Sequence, residues 1–340
     1  MADHLPILGI CGWSGSGKTT LIEQIVPDLI SRDLKVAILK HDAHGLDVDR
    51  PGKDSDRFFN TGADVLAHGP DQTFFRAHRS GVKLDVLLAP LASRYDLVLV
   101  EGHKHSDIPK VWLLSDDGDP PPNEAGPPLT VLSRDDDRPG AVKPLIEKFL
   151  TDRLADELLY GCVLIGGKST RMGRPKHLIE TDGKTWLART IEYMEQTTSK
   201  VVVSGAGEVP DELGDYPQLP DADAAGGPMS GLLSMMRWEP RASWLVAACD
   251  MPDLTSEAFE WLASTRAPGK WATMPTVDDA QGVEPLLAYY NFRFAGLLES
   301  QAVEQNYRLN DLARNPEVAT PPVPPELTAA WRNANSPQDL

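Results

Sequence analysis

Cysteine is scarce in this sequence of 340 residues: there are three, Cys11, Cys162 and Cys249. The number is odd, the spacing is wide and no CxxC pair occurs. That argues against a disulfide framework and a thiolate zinc site, and for a reducing compartment. Each cysteine ends an apolar run, as a small buried hydrophobe does. Long hydrophobic runs are missing too. No stretch approaches the roughly 18 apolar residues that cross a bilayer. Met1–Leu8 carries no basic n-region, so no signal peptide is expected and the chain reads as cytoplasmic. Positive charge is also in deficit. The net charge is −17, with 18 basic against 24 acidic residues up to position 155 and 15 against 26 beyond it. Two acidic halves disfavour nucleic acid and anionic membrane as partners. Oligomer formation is left open.

The length fits two domains, and an apolar content of 41% is enough for two cores. Ile7–Cys11, Lys35–Leu39 and Leu97–Val100 read as buried strands, with a helix over Thr19–Ile30 in which Pro27 should cause a kink or an early end. Ser115–Pro128 is too rich in Pro, Gly and Asp for regular structure. Ala141–Leu159 is helical in pattern and carries the link. The alternation then restarts: strand Cys162–Ile165, helix Trp186–Gln196, strand Val201–Val203, helix Ser230–Arg237, strand Trp244–Ala248. Pro321–Pro325 is a stiff connector. The expectation is α/β, with two three-layer domains over residues 1–155 and 156–340, the first built on a parallel sheet.

Gly12-Trp13-Ser14-Gly15-Ser16-Gly17-Lys18-Thr19 matches GxxxxGK[ST], with a strand before it and a helix after it. This is a P-loop: its glycines let backbone N–H groups wrap phosphates, and the following helix end adds partial positive charge. Lys18 is expected on the outer phosphates and Thr19 on Mg²⁺, with Thr20 completing the nucleotide contacts. Glu101 ends a strand and can hold the metal's outer shell. His41, Asp42 and His44 follow a strand at the edge where open α/β folds bind ligands, and read as polar lining of a cleft.

The second glycine turn is different. From Gly166 to Lys176 it carries Lys168, Arg171, Arg174 and Lys176 and no acid. Such a loop can fold over a triphosphate and neutralise departing pyrophosphate, with Lys176 first and Arg171 second in that role. Asp250 closes the buried strand WLVAAC and points to a crevice metal. Asp221, ahead of Gly226-Gly227-Pro228, is a weaker candidate.

Two resemblances follow from these residues. The P-loop, KHDAHGLDVDRPGKDSDR (Lys40–Arg57) and DLVLVEGHK (Asp96–Lys104) resemble the MobB family of P-loop GTP-binding adapters of molybdopterin guanine dinucleotide synthesis, over roughly residues 5–115. LIGGKSTRMGRPK, PDADAAGGPMSGLL, ACDMPDL and NANSPQDL resemble the MobA family of molybdenum cofactor guanylyltransferases, over about residues 160–340. The second resemblance implies a Rossmann-like nucleotidyltransferase fold and nucleotide contacts from Leu164, Ile165, Gly166, Gly167, Asp221 and Asp250. It also implies a phosphate contact from Lys176, metal at Asp250, and Asn333 and Asn335 on the cofactor side. Ile165 stands where the family has alanine. The gap between RMG and lysine is one residue shorter than in some members, and Ser204 takes the place of an asparagine that contacts the nucleotide. Together the resemblances imply GTP and molybdopterin as substrates, Mg²⁺ as cofactor, and molybdoenzymes or cofactor-insertion proteins downstream. CMP transfer, transfer to a sugar phosphate, a GTP-regulated carrier and a P-loop kinase fused to an inert domain are the competing readings.

Overall fold

Strand β1 (Ile7–Gly12) forms because it is apolar toward both sides of a sheet: Leu8 and Ile10 pack into one core cluster and Ile7 into another. The computed structural model of the protein describes residues 5–42, 45–78, 81–122, 126–166, 174–277, 282–334, 336 and 338. In the first unit β1 is followed by α1 (Lys18–Ser31), β2 (Val36–Lys40), α2 (Asp54–Phe59), β3 (Val65–His68), β4 (Thr73–Arg76) and α3 (Leu84–Ala92). Then come β5 (Leu97–Glu101), β6 (Lys110–Leu113), β7 (Thr130–Leu132) and α4 (Arg138–Ala155). The sheet runs β2-β5-β1-β6-β7 and every neighbouring pair is parallel. β3 and β4 form a separate antiparallel hairpin. Helices α1 and α4 cover one face and α3 the other.

Helix α1 does not end at Pro27; it continues to Ser31. A proline in a helix interior costs about 3 kcal/mol. Ile25 and Leu29, on either side of it, are both fully buried, and each such side chain contributes about 1.5–3 kcal/mol by burial. Packing outweighs the lost backbone bond. Helix α4 is shifted from its expected place. It starts at Arg138, where Asp137 accepts a hydrogen bond from Gly140 N at 3.0 Å, and it stops at Ala155. Leu159 belongs to the next strand.

The second unit contains β8 (Leu159–Leu164), the short pair β9 (Glu180–Thr181) and β10 (Lys184–Thr185), α5 (Trp186–Met194), β11 (Val201–Ser204) and β12 (Gln218–Leu219). It continues with α6 (Pro228–Trp238), β13 (Ser243–Ala248), α7 (Ser256–Ser264), β14 (Ala272–Thr273), β15 (Leu287–Tyr290), α8 (Ala295–Val303), α9 (Leu309–Leu312) and β16 (Val318–Ala319). The seven-stranded sheet runs β12-β11-β8-β13-β15-β14-β16. It is mixed: β15 is antiparallel to both neighbours and the other pairs are parallel. Helices α5 and α7 cover one face, α6 and α8 the other. From β8 the chain crosses to β11 on one side and later to β13 on the other. A crevice opens outside the strand ends at such a reversal.

The two units meet through the turns at one end of each sheet. Trp271 Nε1 donates to Asp96 Oδ1 at 2.6 Å, and Lys35 N donates to the other oxygen of that carboxylate at 2.8 Å. Arg293 Nε donates to Tyr95 O at 3.0 Å, and the Lys35 ammonium pairs with Glu317 at 2.5 Å. Asp96, Trp271, Arg293 and Glu317 are all buried. Lys35 and Asp96 stand just before β2 and β5, while Trp271 and Glu317 stand just before β14 and β16. Glu157, in the link, accepts from Asn291, Ser243 and Tyr289 of the second unit at 2.6–2.9 Å. Both units therefore dock through the amino-terminal ends of their parallel strands. Among the described residues no helix is long and apolar enough to cross a membrane.

Candidate functional site

The first candidate site lies at the opposite, carboxyl-terminal end of β1. Gly12, Gly15 and Gly17 all have positive φ, at 152°, 73° and 88°. At Gly12 a Cβ would collide with Ser16 Oγ and the Leu113 carbonyl, so no other residue fits the turn. Ser16 is fully buried, whereas Ser14, Gly15, Thr19 and Thr20 are exposed at the mouth. The Lys18 ammonium folds back over the loop and donates to Trp13 O at 2.8 Å and Gly12 O at 3.2 Å. Burial pushes its pKa down, against the pull of Glu101. Thr19 Oγ1 donates to Glu101 Oε1 at 3.0 Å, and Lys40 Nζ approaches the same oxygen at 3.5 Å. The sequence pairs Thr19 with Glu101 only by motif; the structure brings them into contact. A hydroxyl and a carboxylate there are hard oxygen donors of the kind Mg²⁺ takes.

Two arginines with no motif behind them hold this loop from below. Arg138 donates to Ser16 O at 2.6 Å, Ser133 O at 2.7 Å and Leu114 O at 2.8 Å, and Arg134 donates to Gly15 O at 2.9 Å. Burial lowers the Arg138 pKa. His41 and His103 stack with centroids 4.3 Å apart. His44 lies outside the described residues.

The second candidate site sits at the carboxyl-terminal ends of β8 and β13, which pair in parallel. Leu164, Ile165 and Gly166 end the first of these. Gly166 has φ 118°, and among the described residues nothing lies within 4 Å of a Cβ position there. Asp250 follows the second strand, and the Lys176 ammonium meets Asp250 Oδ2 at 2.9 Å. Two residues 74 apart in sequence are thereby joined. Gly167 and Arg171 lie outside the described residues. Asp221 accepts from Ser230 Oγ at 2.9 Å, beside the start of α6. Ser204 is placed differently from the expectation. It is 1% exposed and its hydroxyl donates to Gly231 O of α6 at 3.5 Å. Its side chain is committed to sheet–helix packing and does not face the crevice.

Glu284 is a residue that sequence reasoning missed. Burial first, then the Asp250 charge, push its carboxyl pKa up, and a hydrogen bond from Asn333 works the other way. Asn333 is held there because the chain returns: Ala334 N donates to Asp250 O at 2.9 Å, Trp331 Nε1 to Leu287 O at 3.2 Å, and Arg332 pairs with Asp253 at 2.5 Å. Asn335 lies outside the described residues. The Asp250 charge acts on Glu284, and a divalent cation taken by both carboxylates would relieve that repulsion. A lone acid ahead of β15 carries no sequence signal. The three cysteines are buried and free, and burial raises each thiol, Cys249 to about 12.

Behind the crevice, Gly205 has φ 126° and a Cβ there would collide with the Ile165 carbonyl oxygen. Gly205→Ala is expected to destabilise the protein by about 3 kcal/mol or more, combining overpacking with a left-handed strain. Chemical denaturation checks this, and an unchanged midpoint would contradict the packing described.

A P-loop unit joined to an α/β unit with a lysine–aspartate pair at its sheet reversal defines a class: a two-unit α/β protein with a candidate nucleotide site in each unit. Residues 7–131 match the family of molybdopterin guanine dinucleotide synthesis protein B (MobB), and residues 161–318 match the MobA-like NTP transferase domain. The chain belongs to the MobB family through its first unit, and it carries a MobA-like NTP transferase domain fused C-terminally to that MobB domain. It is 42% identical over 116 residues to the molybdopterin-guanine dinucleotide biosynthesis adapter protein of Haemophilus influenzae, covering 33% of this chain and 65% of that protein. It is 37% identical over 125 residues to the adapter protein of Escherichia coli, covering 35% and 71%. It is 28% identical over 187 residues to a probable molybdenum cofactor guanylyltransferase of Pelotomaculum thermopropionicum, covering 53% and 89%.

Proposed function

We propose that the second unit transfers GMP from GTP to the terminal phosphate of molybdopterin, with release of pyrophosphate. We also assign the first unit as a GTP-binding adapter domain that assists docking or delivery. The observation that carries the reading is the Lys176–Asp250 pair at the ends of β8 and β13, 2.9 Å apart beside the Gly166 turn. The family membership and the names of the relatives supply the substrates.

The reaction forms a bond between an acceptor phosphate oxygen and the α-phosphorus of GTP. The bond from the α-phosphorus to its bridging oxygen breaks, and pyrophosphate leaves with the electron pair. The acceptor oxygen is already anionic, so no general base is required and positioning with charge neutralisation carries the catalysis. Lys176 would neutralise charge on the leaving pyrophosphate. The backbone of Leu164–Gly166 lines the nucleotide side, and Asp221 stands at the start of α6. Asn333, tied to Glu284, lies on the acceptor side. Asp250 and Glu284 are the residues that would hold Mg²⁺, whose charge would offset that of the triphosphate. In the first unit Thr19 and Glu101 would hold a second ion. The boundary between units is assigned at residues 155 and 156, and the chain is assigned to the cytoplasm, with cofactor-insertion proteins or molybdoenzymes receiving the product.

The test is incubation of the protein with GTP, Mg²⁺ and molybdopterin, with the product identified by mass and CTP run in parallel. GTP is expected to be preferred, because hydrogen-bonding base contacts reject a wrong base more strongly than shape does. Equal or better pyrophosphate release from CTP would move the protein to cytidylyl transfer.

A further inference from the structure

The P-loop is flanked by more positive charge than a nucleotide cradle uses. On the β2–β5 side of β1, Lys40 and His41 end β2 and follow it, and His103 and Lys104 follow β5. These turns lie where ligands bind in open α/β sheets, outside the carboxyl ends of the strands. Glu101 is buried at the end of β5, and Thr19 already donates to it at 3.0 Å. Lys40 reaches Glu101 only at 3.5 Å and remains half exposed. The Lys104 ammonium sits 3.6 Å over the ring of Trp13, and among the described residues it has no carboxylate partner. In a protein of net charge −17 such a local surplus is not a general feature of the surface.

The histidines add directional donors to this charge. Their rings stack at 4.3 Å with planes 35° apart, and among the described residues neither ring has a protein hydrogen-bond partner for its nitrogens. The stack is enforced by the backbone. Gly102 has φ 96° and a Cβ there would meet His41 Cβ at 3.3 Å, while His103, a non-glycine residue, sits at φ 50°. A left-handed non-glycine residue costs energy, and such strain clusters at functional sites. Lys18, the cradle's own cation, lies close enough that Lys104 and Lys40 both act on its ionisation. The cluster is thus a neighbour of the phosphate cradle, on a different set of turns from those that build it.

We propose that Lys40, His41, His103 and Lys104 form an anion subsite beside the P-loop that takes the phosphate monoester of a second small molecule while nucleotide fills the cradle. The subsite rests on the reading of the first unit as a nucleotide site. Two ammonium groups and two imidazole N–H groups match a phosphate, which offers three strong acceptor oxygens.

The test uses the full chain, saturated with Mg²⁺ and a non-hydrolysable GTP analogue, and titrated with inorganic phosphate. Histidine-ring resonances are followed by NMR, with His41→Asn and His103→Asn used to assign the two rings. Both signals are expected to move together and saturate. In a Lys40→Ala, Lys104→Ala double variant the phosphate concentration at half-saturation should rise at least tenfold. Both lysine side chains are solvent-reaching, so the variant is expected to fold, and its circular dichroism checks that. If phosphate moves these signals only when the analogue is absent, the cluster is an extension of the nucleotide site and the proposal is overturned. Absence of any shift with the analogue bound overturns it as well, and leaves the nucleotide reading intact. If the analogue itself does not bind, both readings fall, and the loss is visible in the binding isotherm before phosphate is added.

Discussion

Asp250→Ala is expected to cut guanylyl transfer by about 10²-fold or more, the scale of losing one key electrostatic group at a reacting centre. The side chain lies in a crevice at 24% exposure and makes one ion pair, with Lys176. Removing it should leave the core untouched, because its neighbours Cys249 and Met251 pack through their own side chains. Divalent-metal binding should weaken in parallel, measured by Mn²⁺ titration of the variant. A folded Asp250→Ala protein with near-normal pyrophosphate release would remove this residue from the chemistry.

The second large effect is expected at the other site. Lys18→Ala should weaken nucleotide binding by the first unit roughly 10- to 100-fold, the range for losing charge-assisted hydrogen bonds. The stoichiometry at moderate GTP should fall from two nucleotides per chain to one. Transfer by the full chain should change only modestly, since Lys18 and Lys176 stand at opposite ends of the molecule. Binding isotherms and transfer assays on the same preparation check this. Loss of all transfer in a folded Lys18→Ala protein would show that one composite site serves both lysines.

The P-loop was legible because its geometry admits few sequences. Gly12 collides with Ser16 and Leu113 if it gains a Cβ, so the glycine is written into the chain. The place of Asp250 was legible because a buried apolar strand must end somewhere, and the first polar residue after it marks that end. The burial of Ser204 was also readable. Val201 and Val203 pack with one core cluster and Val202 with the other, so alternation already put Ser204 on the α6 side with Val202. The early end offered at Pro27 did not occur, because the burial of Ile25 and Leu29 outweighs the local penalty. Glu284 and the pairing of Trp271 with Asp96 were out of reach. The latter two lie 175 positions apart, and neither sits in a pattern that announces the other.

That pairing has a consequence for what covalent fusion does here. Docking uses the amino-terminal strand ends of both sheets, so the two candidate mouths, at the carboxyl-terminal ends, open away from each other, separated by two six-residue strands of roughly 20 Å each at about 3.3 Å per residue and by the junction between them. Tethering raises encounter rates only when the joined sites can meet, and here the geometry forbids it. A nucleotide leaving one mouth is diluted into bulk solvent before it can reach the other. The covalent bond therefore sets a one-to-one count of the two activities in the cell without creating a private channel between them, and both mouths remain free to engage separate molecules at the same time.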